Sequence, residues 1–281
     1  MQTYKKASCV LEIFIFFFFY MGTEYSRGVE GAVSTLDGSS VVIDHSQGGT
    51  VIHAINDVCR ELQTGDLVFF SGTSWTSYVT RLFTRSEWSH VAIVEYNPNV
   101  TEYKYIWESV YQAEADIYDV HSQTNVKRGV RLVEAWNRID SYGRHEKQQF
   151  FRIGLLKFCV DAQISPEERQ ALQDEIHRRL SAFQAREHPK NFESSPINLA
   201  RAEFSDVVGE AQGPVREYFC SQLVVSTLQA MGVMDSKLEA RSVTPAMLAH
   251  YPGRFPMRQG FRLGPELHVY KVSLDPPLVP V

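Results

Sequence analysis

The stretch SHVAIVEYNPNVTEYKYIWESV, residues 89–110, decides the fold. Its first third is apolar and β-branched, its last third alternates, and the NPNVT between them is a strong turn signal, so the stretch reads as an antiparallel hairpin. With the turn centred on Asn99, Glu108 stands directly opposite His90, with Cβ atoms about 5 Å apart. A carboxylate beside an imidazole orients the ring and favours the tautomer a general base needs. A slip of one residue would put Trp107 there instead.

Working outward, GDLVFFSG (65–72) is an apolar run bounded by glycines and reads as a buried strand. GVRLVEAW (129–136), QFFRIGLL (149–156) and ELHVYKVSL (266–274) are three more strands. VIHAINDVCREL (51–62) and TSWTSYVTRLFT (73–84) have helical spacing, and SVTPAM (242–247) opens a short helix. The clearest helix is SPEERQALQDEIHRRLSAFQ (165–184). Ser165 and Glu168 make a capping box, Pro166 suits the first helical position, and Leu172, Ile176, Leu180 and Phe183 form an apolar stripe. Residues 191–214 read as an irregular connection. Short links between strands favour an α+β domain, an antiparallel sheet with helices packed on it.

The 281 residues are enough for a sizeable core, and a net charge of −5 argues against a nucleic-acid partner held by phosphate contacts. Cys9, Cys59, Cys159 and Cys220 include no C-x-x-C pair and no histidine at ligand spacing, so neither a zinc site nor a disulfide framework is expected. Residues 1–22 hold two lysines followed by a mostly apolar run, the layout of a signal peptide or anchor, although Glu12 interrupts it and Tyr20 spoils a cleavage site. A start at Met21 would instead make Gly22 a myristoylation acceptor. A signal or anchor implies a secretory or membrane-associated protein; otherwise the chain reads as cytoplasmic. Residues 23–50 read as a loosely ordered lead-in, and 51–281 as a single domain.

EYFCSQLVVSTLQAMG (217–232) places Cys220 in the first turn of an amphipathic helix that Gly232 ends. Cys220, Val224, Leu228 and Met231 share one face, which by itself is the reading of a core cysteine. The first turn also carries unpaired N–H groups and the positive dipole end, which stabilise a thiolate or an oxyanion. His90, at the start of an apolar strand, is the candidate base.

TGDLVFFSG, TRLFTRSEWSHVAIVEY, YIWESV and EYFCSQLVV, in that order, resemble the motif series of the circularly permuted NlpC/p60 cysteine hydrolases, most nearly the YiiX-like group. The resemblance covers roughly residues 63–232 and implies a permuted papain-like fold. It matches Cys220 to the nucleophile, His90 to the base and Glu108 to the polar residue that orients the base. Ala92, Phe219 and Gln222 depart from the family's usual glycine, tyrosine and glutamate, which puts substrate preference in doubt.

The function so implied is hydrolysis of an amide or ester bond in a peptide, lipid or lipid-modified substrate through a thioester, with no metal or organic cofactor. The alternatives are a non-catalytic lipid- or peptide-binding module of the same fold, or a thiol acyltransferase. Phe69, Phe70, Trp75, Tyr78, Trp88 and Trp107 are candidate linings of an acyl cleft, or simply core.

Overall fold

The computed structural model describes residues 32–36, 39–44, 50–72, 86–110, 117–126, 128–146, 150–160, 164–188, 190–192, 217–265 and 267–273. The expectations for residues 1–22 and for the helix 73–84, with Trp75 and Tyr78, lie outside them.

The chain opens with strands β1 (Ala32–Leu36), β2 (Ser39–Asp44) and β3 (Thr50–Ala54), then helix α1 (Ile55–Glu61). Strands β4 (Leu67–Phe70), β5 (His90–Glu95), β6 (Tyr105–Val110) and β7 (Gly129–Glu134) lead to helix α2 (Ala135–Glu146). After β8 (Phe150–Leu156) and β9 (Phe158–Val160) comes the long helix α3 (Pro166–Glu187). Two short strands, β10 (Asn191–Phe192) and β11 (Glu217–Tyr218), precede α4 (Cys220–Ala230) and α5 (Pro245–His250). Strands β12 (Phe261–Leu263) and β13 (His268–Ser273) follow.

Nine strands form one sheet in the order β1-β2-β3-β13-β8-β4-β5-β6-β7. The fold is mixed α+β. Every neighbour in this sheet is antiparallel except β3 and β13, which run parallel, so the sheet is not purely antiparallel as the short links had suggested. The lead-in also differs from its reading: β1 and β2 join the sheet, β2 pairing with β3. Their short β-branched runs were a strand signal diluted by the Gly, Ser and Asp around them. The expected helix over 51–62 is split between the end of β3 and α1.

Side-chain alternation along the strands builds a separate core on each face. Leu67, Phe69, Val91, Ile93 and Trp107 pack with α3, α4 and α5, through Ile176, Leu180, Phe183, Leu223, Val224 and Leu248. Val68, Phe70, Ala92, Val94, Ile106 and Ile153 pack on the other side with α1 and α2, through Val58 and Ile139. The capping box of α3 forms as its sequence implies, with Ser165 accepting from Glu168 N–H and Glu168 from Ser165 N–H. Phe69, Phe70, Trp88 and Trp107 are wholly interior, so these four are core and not the lining of a cleft.

Candidate active site

His90 is the first residue of β5 and has the strand parity of Ala92 and Val94, which face α1 and α2. Glu108 shares that face, but the register differs from the expected one. Ile93 pairs with Trp107, which sets Glu108 across from Ala92 and one diagonal step from His90. A shift of two residues keeps every side chain on its face, and diagonal neighbours about 7–8 Å apart lie within reach of long side chains. The contact forms: His90 Nε2 and Glu108 Oε2 are 2.7 Å apart.

Cys220 approaches from the other layer. It is the first residue of α4, with Phe219 at the N-cap. Phe219 has no side-chain oxygen to cap the helix, and Gln222 Oε1 instead accepts from Phe219 N–H at 3.4 Å. The β5–β6 ladder runs from Ile93↔Trp107 outward, leaving the His90 end of β5 beyond it. There the Cys220 thiol lies near enough to His90, and to the N–H groups of Val91 and Ser221, for all three to act on its proton. Because Nε2 of His90 is engaged by Glu108, Nδ1 is the nitrogen left for the thiol. The segment entering α4 is held in turn by Ser109, whose Oγ donates to Tyr218 O at 2.8 Å, and by Tyr218 Oη, which donates to Glu187 at 2.8 Å.

Glu108 is fully buried. Its Oε1 accepts from Arg131 Nε at 2.8 Å and Nη2 at 2.6 Å, and Arg138 Nε reaches both oxygens at 2.8 and 3.0 Å. Arg131 stands directly opposite Glu108 on β7, while Arg138 projects from α2 with its guanidinium 4.6 Å from the Phe70 ring centre. The Phe70 ring lies 5.7 Å from that of His90.

The electrostatics follow from these contacts. Burial alone would raise the Glu108 carboxyl, but the charges of Arg138 and Arg131, with His90, hold it well below the usual carboxylate range. Burial would lower His90, and its bonds to Cys220 and Glu108 outweigh that, lifting the imidazole to about 9. The Cys220 thiol is raised by burial and lowered further by His90 and the two backbone N–H groups, for a net shift downward. Those shifts favour a thiolate beside an imidazolium, an arrangement suited to nucleophilic attack on a carbonyl.

The structure therefore brings Cys220, His90 and Glu108 together. Arg131 and Arg138 were missed. A signal for Arg131 existed: it is the one charged residue within the apolar run GVRLV, and a buried guanidinium requires an anion. Among the described residues no group of His, Cys, Asp or Glu could hold a metal ion, and no helix is long and apolar enough to cross a membrane.

No family model matches the chain, and no curated protein matches it. Among solved structures it is weakly similar to the metalloprotein yiiX from Escherichia coli O157:H7. That match covers 74% of this chain and 96% of the other, with 15% identity and a TM-score of 0.37.

Proposed function

We propose that this chain is a cysteine hydrolase of the permuted papain-like NlpC/p60 kind, cleaving an amide or ester bond in a peptide, lipid or acylated substrate. The observation that carries the reading is the continuous series from the Cys220 thiol to His90 to Glu108, with the thiol at a helix start. His90 holds the thiol proton as imidazolium, and the Cys220 thiolate attacks the carbonyl carbon. N–H groups of the first turn of α4 receive the oxyanion, and His90 then gives its proton to the departing amine or alcohol. The acyl group is left on sulfur as a thioester. Water, deprotonated by His90, releases the acid and restores the thiol. Glu108 keeps the ring oriented throughout.

The test has two parts. Iodoacetamide alkylation of Cys220, followed by peptide mass spectrometry across pH, should show a midpoint well below the free-thiol value of about 8.5. His90→Ala should return it to near that value and slow alkylation at neutral pH by about tenfold or more. Turnover, screened with acyl esters and peptide amides, should fall as pH rises through about 9, because His90 then loses the proton it gives the leaving group. Intact mass should show an acyl adduct that Cys220→Ala abolishes. A thiol of ordinary acidity that ignores His90→Ala would sink the reading in favour of a cysteine that only packs. An acidic thiol with no adduct from any carbonyl substrate would favour the binding module.

A further inference from the structure

We propose that Ser109 is a positioning residue for Cys220, and that β6 thereby sets the spacing of nucleophile and base, one from each of its faces. The inference rests on the hydrolase reading and extends it to a residue outside the Cys–His–Glu series.

Successive residues of a strand point to opposite faces of the sheet. Glu108 and Ser109 are neighbours on β6, and both are fully buried. Glu108 holds Nε2 of His90 on one face. Ser109 turns to the other, where its Oγ donates to Tyr218 O at 2.8 Å. Tyr218 stands one residue before the N-cap of α4 and two before Cys220. Its carbonyl lies outside the helix ladder, in which Leu223 N–H donates to Phe219 O. A buried carbonyl in that place needs a donor from elsewhere in the fold, and Ser109 supplies it.

Other bonds fasten the same segment to other elements. Tyr218 Oη donates to Glu187 at the end of α3, and Ser221 Oγ donates to Val243 O, just before α5, at 2.7 Å. Phe219 brings no capping oxygen of its own to the helix start. The Ser109 bond differs from these in its anchor: it ties the nucleophile's segment to the strand that carries Glu108. His90 is steadied from β6 through Glu108, and Cys220 is referenced to β6 through Ser109. The imidazole acts on the thiol proton only while the two stay within hydrogen-bond reach, and that interaction weakens steeply with distance and angle.

If Ser109 served only to satisfy a buried carbonyl, losing its hydroxyl would lower stability and leave the thiol as acidic as before. Ser109→Ala alters no charge. Glu108 with Arg131 and Arg138 remains beside His90, and Glu187 with Arg186 and Lys190 remains at the Tyr218 phenol. A moved titration therefore reports a moved thiol. The experiment is the alkylation profile of Cys220 from about pH 4 to pH 10, read by peptide mass spectrometry, with thermal melting to follow the fold. The full chain is compared with Ser109→Ala, Ser109→Thr and, as a destabilised variant away from the site, Gly65→Ala. Alanine should raise the Cys220 midpoint by about one unit. Threonine keeps the hydroxyl and suits a strand, and its midpoint should stay within about half a unit of the parent. Gly65→Ala should melt earlier with the parent's midpoint. Should Ser109→Ala not fold, Ser109→Cys keeps the size with a weaker donor and should shift the midpoint in the same direction. An acidic, His90-dependent thiol in the parent that the loss of the hydroxyl does not move overturns this inference and leaves the hydrolase reading intact. So does a shift that threonine or Gly65→Ala reproduces in full. An ordinary thiol in the parent overturns both.

Discussion

Glu108 carries its charge where water does not reach and answers to three partners on three different elements: His90 on β5, Arg131 on β7 and Arg138 on α2. Replacing it isosterically by glutamine takes away an anion that two buried guanidiniums share. We expect Glu108→Gln to cost about 3–5 kcal/mol, the range for breaking one member out of a buried ion pair, read as a lowered midpoint in urea at neutral pH. A loss under about 1 kcal/mol would mean that the cluster is wetter than its burial indicates. The sign with pH is fixed by the direction of the carboxyl's shift. Its folded-state value lies below the ordinary 4.5, so its contribution is present above that value and disappears as pH falls through the folded one. The stability difference between Glu108→Gln and the parent should therefore shrink in acid.

At the scale of single elements, the hairpin shows what a sequence pattern does and does not convey. Alternation determines which face a residue occupies, and on that point His90 and Glu108 were legible. Register depends on where the turn bends, and the turn here takes in more residues on the β6 side than a bend centred on Asn99 allows. The β5–β6 offset of two residues was invisible in NPNVT, yet harmless to the site because it preserves parity. Cys220 was legible for a different reason: Gly232, with φ of +81°, fixes the helix end, and counting back puts Cys220 in the first turn. Arg138 was not legible at all, because no helix was read between the strands expected at 129–136 and 149–156, and the carboxylate it meets lies on a strand thirty residues earlier.

The loop entering β4 makes a sharper prediction. Gly65 has φ of +89°, and a Cβ there would sit 2.7 Å from the Phe158 ring. The turn aims Asp66 at Phe158 N–H (2.8 Å) and Lys157 Nζ (2.7 Å), tying β4 to the start of β9. Gly65→Ala combines backbone strain with a ring clash and should cost about 2–3 kcal/mol in chemical denaturation. Alkylation of Cys220 in the folded fraction should be unchanged, since the loop does not touch the site. A variant as stable as the parent would show that Phe158 moves freely and that the Asp66 contacts tolerate it.

For the whole molecule, the two cores share one sheet, and the site is the place where residues from both layers meet at the end of a strand. The central strands were readable because they are long, apolar runs. Membership of β1 and β2 was not, because short strands at a sheet edge carry few apolar residues and owe their place to the neighbours they pair with. The same dependence on distant partners holds for the parallel junction of β3 and β13, which no local pattern announces.

That junction has a consequence for how the chain is made. β13, latest in sequence of the described strands, lies between β3 and β8, with β1–β3 on one side and β4–β8 on the other. Ending the chain at Pro265 should split the sheet and give an insoluble or near-UV-silent product, whereas a truncation that still melts cooperatively would refute the dependence. During synthesis, then, the two halves of the sheet cannot join until residues 268–273 have emerged. Until then the facing edges of β3 and β8 are both bare, and a fragment that stops short of residue 268 would offer two unpaired strand edges to any neighbouring chain.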